Sequence, residues 1–262
     1  MTTLVDAMLE TARIMGITHE GTATSGTLTS LTDTAMEEPA DYWNGGTLWV
    51  LSGVNNGSCV VVKTHNGNTV SFSAMSGTIA AGVEYALATA DYPKHKLKQA
   101  VLTVLRNDEI LLKDDTTTIT DDTEEYSLPT GVSNVIAVHV AQEDDEPYNW
   151  QPHYYWQENY GKLLFDPGKE PANTGDKIRI WYLGVHGEIA ESGSILSSVP
   201  INWLKWKSAE FLYRDKLTRI KQDDPTTIDL FNEAKEQAKY AAAMSDRYTL
   251  RTGNPQPRFA NY

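Results

Sequence analysis

The sequence is poor in cysteine, in basic residues and in long apolar runs, and each shortage excludes a class of protein. Cys59 is the single cysteine among 262 residues, so no disulfide can form within the chain. No apolar run approaches the ~20 residues that span a bilayer, and we expect no membrane partner. Residues 1–16 place Asp6 and Glu10 inside an amphipathic pattern, so we expect no export signal.

The charge of the chain is strongly acidic and unevenly distributed. It has 22 Lys and Arg against 35 Asp and Glu, for a net charge of −13, so its outer surface is not expected to wrap DNA. Residues 1–91 contain nine acidic and two basic side chains, and residues 114–197 contain sixteen and four. Residues 198–262 reverse the balance, with eight and eleven. Solvated acidic loops would explain this pattern, and so would charge complementarity between neighbouring subunits.

The sequence contains no motif of a common enzyme: no Gly-x-Ser-x-Gly elbow, no P-loop and no dinucleotide-binding fingerprint. No histidine has a second one four residues later, as a zinc protease helix needs. The six histidines are His19, His65, His95, His139, His153 and His186. We therefore predict a protein that is not an enzyme, with no catalytic residues, no cofactor and no metal ligands.

Two acidic clusters could supply oxygen ligands to a divalent cation, but neither has the spacing of an EF-hand. The first comprises Asp114, Asp115, Asp121, Asp122, Glu124 and Glu125, and the second comprises Glu143, Asp144, Asp145 and Glu146. We interpret both clusters as solvated hairpin ends. Glycoside hydrolysis needs a pair of carboxylates. Because the chain has 35 acidic residues, the presence of such a pair does not by itself indicate this activity.

The hydrophobic pattern predicts an α+β protein, with a helical body of N-terminal, central and two C-terminal helices and two antiparallel β insertions. Helical spacing of Leu4, Met8 and Ala12 marks the first helix, and Asp224-Pro225 caps the last. The predicted parts are a helix (1–16), a β-barrel-like insertion (17–91), a central helix (92–113), a β-sandwich-like module (114–197), C-terminal helices (198–249) and an extended tail (250–262).

The first C-terminal helix is apolar on two faces, which indicates that it is covered on two sides. Ile201, Leu204 and Phe211 mark one face, and Trp203 and Trp206 begin the other. Packing within the chain is the alternative explanation for either tryptophan alone. We predict that these two faces contact neighbouring subunits, and that the tail docks onto a neighbouring subunit or onto another ring. The candidate interface residues are Trp203, Trp206, Tyr213, Leu217, Arg258, Phe259 and Tyr262.

Residues 148–160 are dense in aromatic side chains. These are Tyr148, Trp150, Tyr154, Tyr155, Trp156 and Tyr160. Such a patch could stack on sugar rings. We favour another interpretation, in which alternate members fill the core of a sandwich and the others lie at a subunit contact.

The order of motifs along the chain resembles head-to-tail connector (adaptor or neck) proteins of tailed bacteriophages. The motifs are a short helix, Asp41-Tyr42-Trp43-Asn44-Gly45-Gly46-Thr47-Leu48-Trp49-Val50, Tyr92-Pro93 with its helix, Tyr126-Ser127-Leu128-Pro129-Thr130-Gly131-Val132, and a helix beginning Val199-Pro200-Ile201 with Trp203-Leu204. As an arrangement, the resemblance covers nearly the whole chain. More of the sequence is devoted to β modules than in the small all-helical adaptors, which is compatible with a neck protein of another layer.

This resemblance implies a helical body with β insertions and a ring, commonly of twelve copies, in the neck of the virion. It implies the portal protein and a tail or neck protein as partners, passage of DNA through the channel without specific binding, and synthesis in the host cytoplasm. It supplies no catalytic residues. The alternative hypothesis is a carbohydrate-binding or tail-fibre-type receptor-binding module, because two β stretches are rich in aromatic residues. An enzyme such as a glycoside hydrolase is a third.

Overall fold

A computed structural model describes residues 2–120, 124–142, 148–166, 168–169, 174–186, 189–190, 193–220 and 224–244. The helices are α1 (Leu4–Ile14), α2 (Lys94–Asn107), α3 (Ile201–Ile220) and α4 (Pro225–Ala243). The strands before α2 are β1 (Thr18–Thr22), β2 (Ser25–Gly26), β3 (Ser30–Thr32), β4 (Thr47–Val50), β5 (Cys59–Asn66), β6 (Thr69–Phe72) and β7 (Glu84–Ala88). The strands after α2 are β8 (Ile110–Thr118), β9 (Glu125–Ser127), β10 (Val132–Ala141), β11 (Gln151–His153), β12 (Trp156–Asn159), β13 (Lys162–Phe165) and β14 (Lys177–Gly184).

The chain divides into two compact units. The first unit comprises Met1–Val104, Ile189–Ile195 and Ile201–Tyr240, and the second comprises Leu105–Glu188, Leu196–Pro200 and Ala241–Tyr262. The first unit contains one seven-stranded antiparallel sheet, in the order β1-β7-β4-β5-β6-β3-β2. The second contains a four-stranded sheet, β11-β10-β14-β8, and a three-stranded sheet, β12-β13-β9, both also antiparallel.

The prediction of a separate helical body is wrong. α1, α3 and most of α4 belong to the same unit as the seven-stranded sheet. The central helix also ends at Asn107 instead of residue 113, because Ile110, Leu111 and Leu112 are buried in β8, which pairs with β14. An apolar run this short is compatible with either a helix or a strand, so only its partner strand decides between them.

The prediction of barrel-like or sandwich-like insertions is wrong as well. In the part of the chain that the structure describes, none of the three sheets closes into a barrel. In the first unit β1 pairs with β7 and the two-residue strand β2 pairs with β3, and no ladder joins β1 to β2. The seven-stranded sheet is therefore open, with β1 and β2 as its edges.

The sequence His65-Asn66-Gly67-Asn68 predicts a type I′ hairpin turn, and a turn is present there but differs in type. Asn66 pairs with Thr69, which leaves Gly67 and Asn68 as a two-residue hairpin loop. Gly67 has a φ of +59°, whereas Asn68 is not among the residues with positive φ. This is the φ pattern of a type II′ turn, in which glycine takes the first loop position, instead of the predicted type I′ turn.

One apolar core of the first unit is built on the seven-stranded sheet, whose interior strand β4 is buried along its whole length. Its buried members include Leu48, Val50 and Leu87. Tyr85 belongs to the same cluster, so its hydroxyl is a polar group beside the apolar core. The Tyr85 hydroxyl donates a hydrogen bond of 2.7 Å to Oδ2 of Asp33, which is buried. Burial, followed by this hydrogen bond and the charge of Asp33, raises the pKa of Tyr85.

Three helices pack together in the first unit. A capping box starts α1, in which the backbone N–H of Asp6 donates to Thr3 Oγ1 and the backbone N–H of Thr3 donates to the Asp6 carboxylate. α1 packs against α3. Ala209 of α3 and Ala234 of α4 are buried in one small apolar cluster together with Tyr213.

The second unit is built on the alternation of β14. Ile178, Ile180 and Tyr182 are buried on one face of this strand, whereas Arg179 and Trp181 are half-buried on the other. Such alternation is typical of a sheet that covers a core on one side only. No helix of the described part of the chain is both long enough and apolar enough to cross a membrane.

Candidate interaction surfaces

The four predicted interface residues of α3 differ in how much surface they leave for a partner. Trp203 and Tyr213 are only 6% and 5% exposed. Trp206 and Leu217 are half-buried, and Trp206 packs against the cluster of Ala209 and Tyr213. Burial also raises the pKa of Tyr213 to about 12. The other three candidates, Arg258, Phe259 and Tyr262, lie outside the described residues.

The last turns of α3 are exposed and basic. Arg214, Lys216 and Arg219 are exposed there, and Leu217 is the half-buried apolar side chain among them. Arg219 forms an ion pair of 2.9 Å with Asp215, four residues earlier on the same helix. Of the predicted α3 residues, Leu217 and Trp206 therefore have the most surface available for a subunit contact.

The aromatic patch of the second unit lies outside the core. Tyr148, Trp150 and Trp156 are half-buried. Tyr154 and Tyr155 are 46% and 51% exposed, and Tyr160 is 99% exposed. The favoured interpretation, with alternate members filling a core, is therefore wrong. All six rings have surface that a partner or a ligand could contact.

An arginine organises one part of this patch. The guanidinium of Arg179 lies 4.0 Å from the centroid of the Trp150 ring and 6.0 Å from that of Trp181. Its Nε and Nη2 atoms donate to the two carboxylate oxygens of Asp115, at 2.7 and 2.9 Å. Lys113 lies 3.4 Å from the same carboxylate. The indole of Trp150 therefore packs on the guanidinium of Arg179, and Asp115 holds that guanidinium in place.

The charges of this cluster shift the pKa values of its neighbours. Burial raises the pKa of Asp115, but hydrogen bonds from Arg179 and the charges of Arg179 and Lys113 outweigh it, so the net pKa is lowered. Burial and then the charge of Arg179 lower the pKa of His139, which lies opposite Arg179 on β10. Both shifts favour a fixed charge pattern on this face at neutral pH.

The acidic clusters are only partly described. Asp114 accepts hydrogen bonds from the backbone and side chain of Thr116, and this contact takes up an N–H of the edge strand β8. Glu125 forms an ion pair with Lys162. Asp121, Asp122 and residues 143–146 lie outside the described residues. Within the described ranges, no group of three or more His, Cys, Asp or Glu side chains is arranged to hold a metal ion.

Two adjacent grooves open on the first unit, and both are lined by Val5 and Gly57. The first, which we call the acidic groove, has a volume of about 560 Å³. Its lining includes Asp6, Arg13, Glu20, Trp49, Glu84 and Tyr85. The second, which we call the apolar groove, has a volume of about 360 Å³. Its lining includes Ser58, Cys59, Val60, Ala74, Met75 and Ser76.

Sequence reasoning missed the arginine that organises the aromatic patch. Residues 177–185 are predicted only as a strand, and no role is assigned to Arg179 or Trp181. The period-two alternation of this strand does contain a signal, because Lys177, Arg179 and Trp181 share one face. The grooves of the first unit have no sequence signal of their own, since their walls come from separate segments.

No family model matches this chain, and the search of curated proteins found no match. The function proposed below therefore rests on the geometry of these surfaces and on the order of motifs in the sequence.

Proposed function

We propose that this chain is a non-enzymatic structural protein of a tailed-phage virion. In this proposal it is a head-to-tail connector that forms a ring between portal and tail and surrounds the DNA channel. The observation that carries the proposal is the order of elements: α1, a β-rich stretch, α2 after Tyr92-Pro93, a second β-rich stretch, and two consecutive helices. The connector resemblance rests on this order. The separate helical body that it implies is absent, so that part of the resemblance gives no support.

The surfaces of the chain also support an assembly role. A closed ring requires two different faces on each subunit, one for each neighbour. The chain offers surfaces of different chemistry, with an exposed aromatic patch on the second unit and two grooves on the first. The patch consists of tyrosine and tryptophan, and Arg179 packs on Trp150. These three residue types dominate the binding energy at protein interfaces.

The net charge of −13 fits a channel that DNA passes through without being held. An acidic channel wall repels the phosphates of DNA, so DNA can pass without binding to the wall. Mapping the charges of an assembled ring tests this part of the proposal. A channel lined mainly by Lys and Arg would contradict it.

Electron microscopy of the purified full chain, alone and mixed with portal rings, tests the connector proposal. We expect closed rings, of twelve copies, that stack coaxially on the portal. Mass measurement should show the same copy number in solution. A chain that remains monomeric with and without the portal, or that forms a stable trimer, would refute a ring-forming connector.

A carbohydrate-binding or receptor-binding module of a tail fibre is the second candidate. It is favoured by one observation, the placement of all six patch aromatics outside the core of the second unit. Sugar rings stack on such exposed aromatic faces. A glycan array probed with the full chain and with Trp150→Ala separates the two candidates. Glycan binding that is lost in the variant would favour this second function, and the absence of binding would count against it.

A further inference from the structure

The acidic groove of the first unit contains a buried donor without a partner. Trp49 lines the groove and is 1% exposed, and its indole Nε1 has no hydrogen-bond acceptor among the described residues. A buried N–H that makes no hydrogen bond is costly, so most such groups meet an acceptor. That nitrogen lies beneath the surface, so the Trp49 indole forms part of the wall of the acidic groove.

The same groove carries unbalanced negative charge. Glu20 is neutralised by Arg13, whose Nε lies 2.6 Å from its carboxylate. Asp6 caps α1, and no Lys or Arg of the described ranges pairs with Asp6 or Glu84. Two carboxylates are therefore left to attract a cation. The occupant of this groove should bring a basic side chain.

The apolar groove is suited to binding an apolar side chain. Val60 and Met75 are partly buried hydrophobic residues at its floor, and Val5 separates it from the acidic groove. A thioether and branched aliphatic side chains make favourable contacts with an aromatic ring. Because the grooves adjoin at Val5, one short extended segment with a basic residue next to an aromatic one can fill both.

The chain itself contains such a segment. Residues 247–262 hold Arg247, Arg251 and Arg258 and no acidic residue, and Arg258 is followed directly by Phe259. Sixteen residues can span at most about 50 Å, which is long enough to reach from one subunit to the next. The basic charge of the segment complements the free carboxylates of the acidic groove.

We propose that residues 247–262 of a neighbouring copy bind across the two grooves. Arg258 pairs with the carboxylates of Asp6 and Glu84, and Phe259 enters the apolar groove against Val60 and Met75. This inference rests on the proposed function, which supplies the neighbouring copy, and it assigns the occupant of one subunit contact in the ring.

Disulfide cross-linking between two full-chain variants tests the contact. One variant carries Phe259→Cys and the other carries Ala74→Cys, an exposed position in the apolar groove, both with Cys59→Ala. On oxidation we expect the mixture to give at least tenfold more covalent dimer than either variant alone. A yield no greater than in the separate samples would overturn the proposal.

A double-cysteine variant separates exchange between copies from binding within one copy. This variant carries Ala74→Cys and Phe259→Cys together and is diluted into a large excess of cysteine-free chain. A contact between copies then loses its cross-link, because most neighbours lack cysteine. A cross-link that survives dilution would show that the segment binds its own copy and would overturn the proposal.

A charge reversal tests the role of Arg258. Arg258→Glu should lower the cross-link yield at least fivefold, and adding Glu84→Lys to the partner variant should restore it. The matched control is Lys239→Glu, which reverses an exposed charge on α4 and should leave the yield unchanged. Loss of yield in the control, or no restoration, would contradict the pairing with Glu84.

Electron microscopy of the same samples separates this inference from the proposed function. Rings without the cross-link would overturn the tail contact and leave the connector proposal standing. A wild-type chain that forms neither rings with the portal nor cross-links in the mixture would overturn both.

Discussion

Arg179 lies 4.0 Å from the centroid of the Trp150 ring while its Nε and Nη2 both donate to the carboxylate of Asp115. The side chain of Arg179 is 19% exposed, so the pair is partly shielded from water. A planar guanidinium can stack and form a bidentate ion pair at the same time, whereas an ammonium group cannot. The identity of this residue, and not only its charge, therefore holds the aromatic patch in place.

Arg179→Lys should lower the free energy of unfolding of the full chain by about 1–2 kcal/mol, because it removes one hydrogen bond and the stacking contact. Urea denaturation followed by tryptophan fluorescence measures this change. The matched control is Arg219→Lys in the exposed pair with Asp215, which should change stability by less than about 0.5 kcal/mol. Equal effects at the two sites would contradict the role given to Trp150.

The stability of the second unit should fall as the pH drops below neutral. Burial lowers the pKa of His153, so the unfolded chain binds a proton at higher pH than the folded chain. The stabilising contribution of neutral His153 is complete above about pH 6.5 and is lost as the pH falls toward the lowered folded pKa. His153→Phe keeps a ring against Phe165, which lies 5.0 Å away, and should flatten the curve.

Denaturation between pH 7 and pH 5 checks this prediction. His139, whose pKa is also lowered by burial, continues to titrate in the variant, so some pH dependence should remain. Parallel curves for wild type and His153→Phe would rule out His153 as a source of the acid sensitivity.

Tyr160 occupies a turn position that suits other residues better. The β12–β13 hairpin has a two-residue loop in which Tyr160 has a φ of +48° and Gly161 a φ of +75°, as in a type I′ turn. Asparagine tolerates this conformation better than tyrosine, and the Tyr160 ring is 99% exposed. Tyr160→Asn should therefore stabilise the chain by about 0.5–1 kcal/mol.

Thermal unfolding measures this gain, with Tyr154→Asn as the control at an exposed position outside the turn. A destabilised Tyr160→Asn variant would show that the ring makes contacts within the chain. If the aromatic patch binds a glycan, the same variant should be more stable and yet bind more weakly.

Gly21 leaves room for the buried pair of Tyr85 and Asp33. A Cβ at this position would lie 2.6 Å from Tyr85 Oη and 2.7 Å from Asp33 Oδ2. Gly21→Ala should therefore destabilise the chain by about 1–3 kcal/mol, as overpacking does elsewhere. Combined with Tyr85→Phe, which removes the hydroxyl, the cost should be smaller than the sum of the two single changes. Additive costs in urea denaturation would mean that the two side chains do not compete for this space.

Two predicted interface residues of α3 should respond differently to substitution. Trp203 is buried, so Trp203→Ala should lower the free energy of unfolding by about 3–5 kcal/mol. Leu217 is half-buried, so Leu217→Asp should leave the isolated chain folded but reduce ring formation. Thr218→Asp, which adds the same charge at an exposed neighbour, is the control. Normal rings from Leu217→Asp would exclude Leu217 from the subunit contact.

Local signals predicted the start of α4 and one hairpin loop, although not the end of α2. Asp224 accepts a hydrogen bond from Thr227 at the start of α4, where the sequence predicts the cap, and the structure adds a capping box of Thr3 with Asp6 at the start of α1. The sequence Glu158-Asn159-Tyr160-Gly161 predicts a turn, and Tyr160-Gly161 forms a two-residue hairpin loop there. These features depend on residues within one turn of each other, so the local sequence is sufficient to specify them.

Local signals could not decide whether the apolar run after α2 is a helix or a strand. Ile110, Leu111 and Leu112 fit a helix by composition, and their ladder to β14 makes them a strand. The aromatic patch shows the same limit, because its density alone does not reveal which rings face the core. In both cases the missing information is the identity of the partner segment.

The sequence by itself determined the antiparallel β character of both long stretches, the two C-terminal helices and the caps, because each follows from short-range periodicity and turn chemistry. Tertiary structure alone decided that the helices share a unit with the first sheet, and that Arg179 meets an aspartate 64 residues earlier in the chain. It also decided which side chains border the two grooves. These outcomes depend on strand register and on burial against distant segments, which no local pattern encodes.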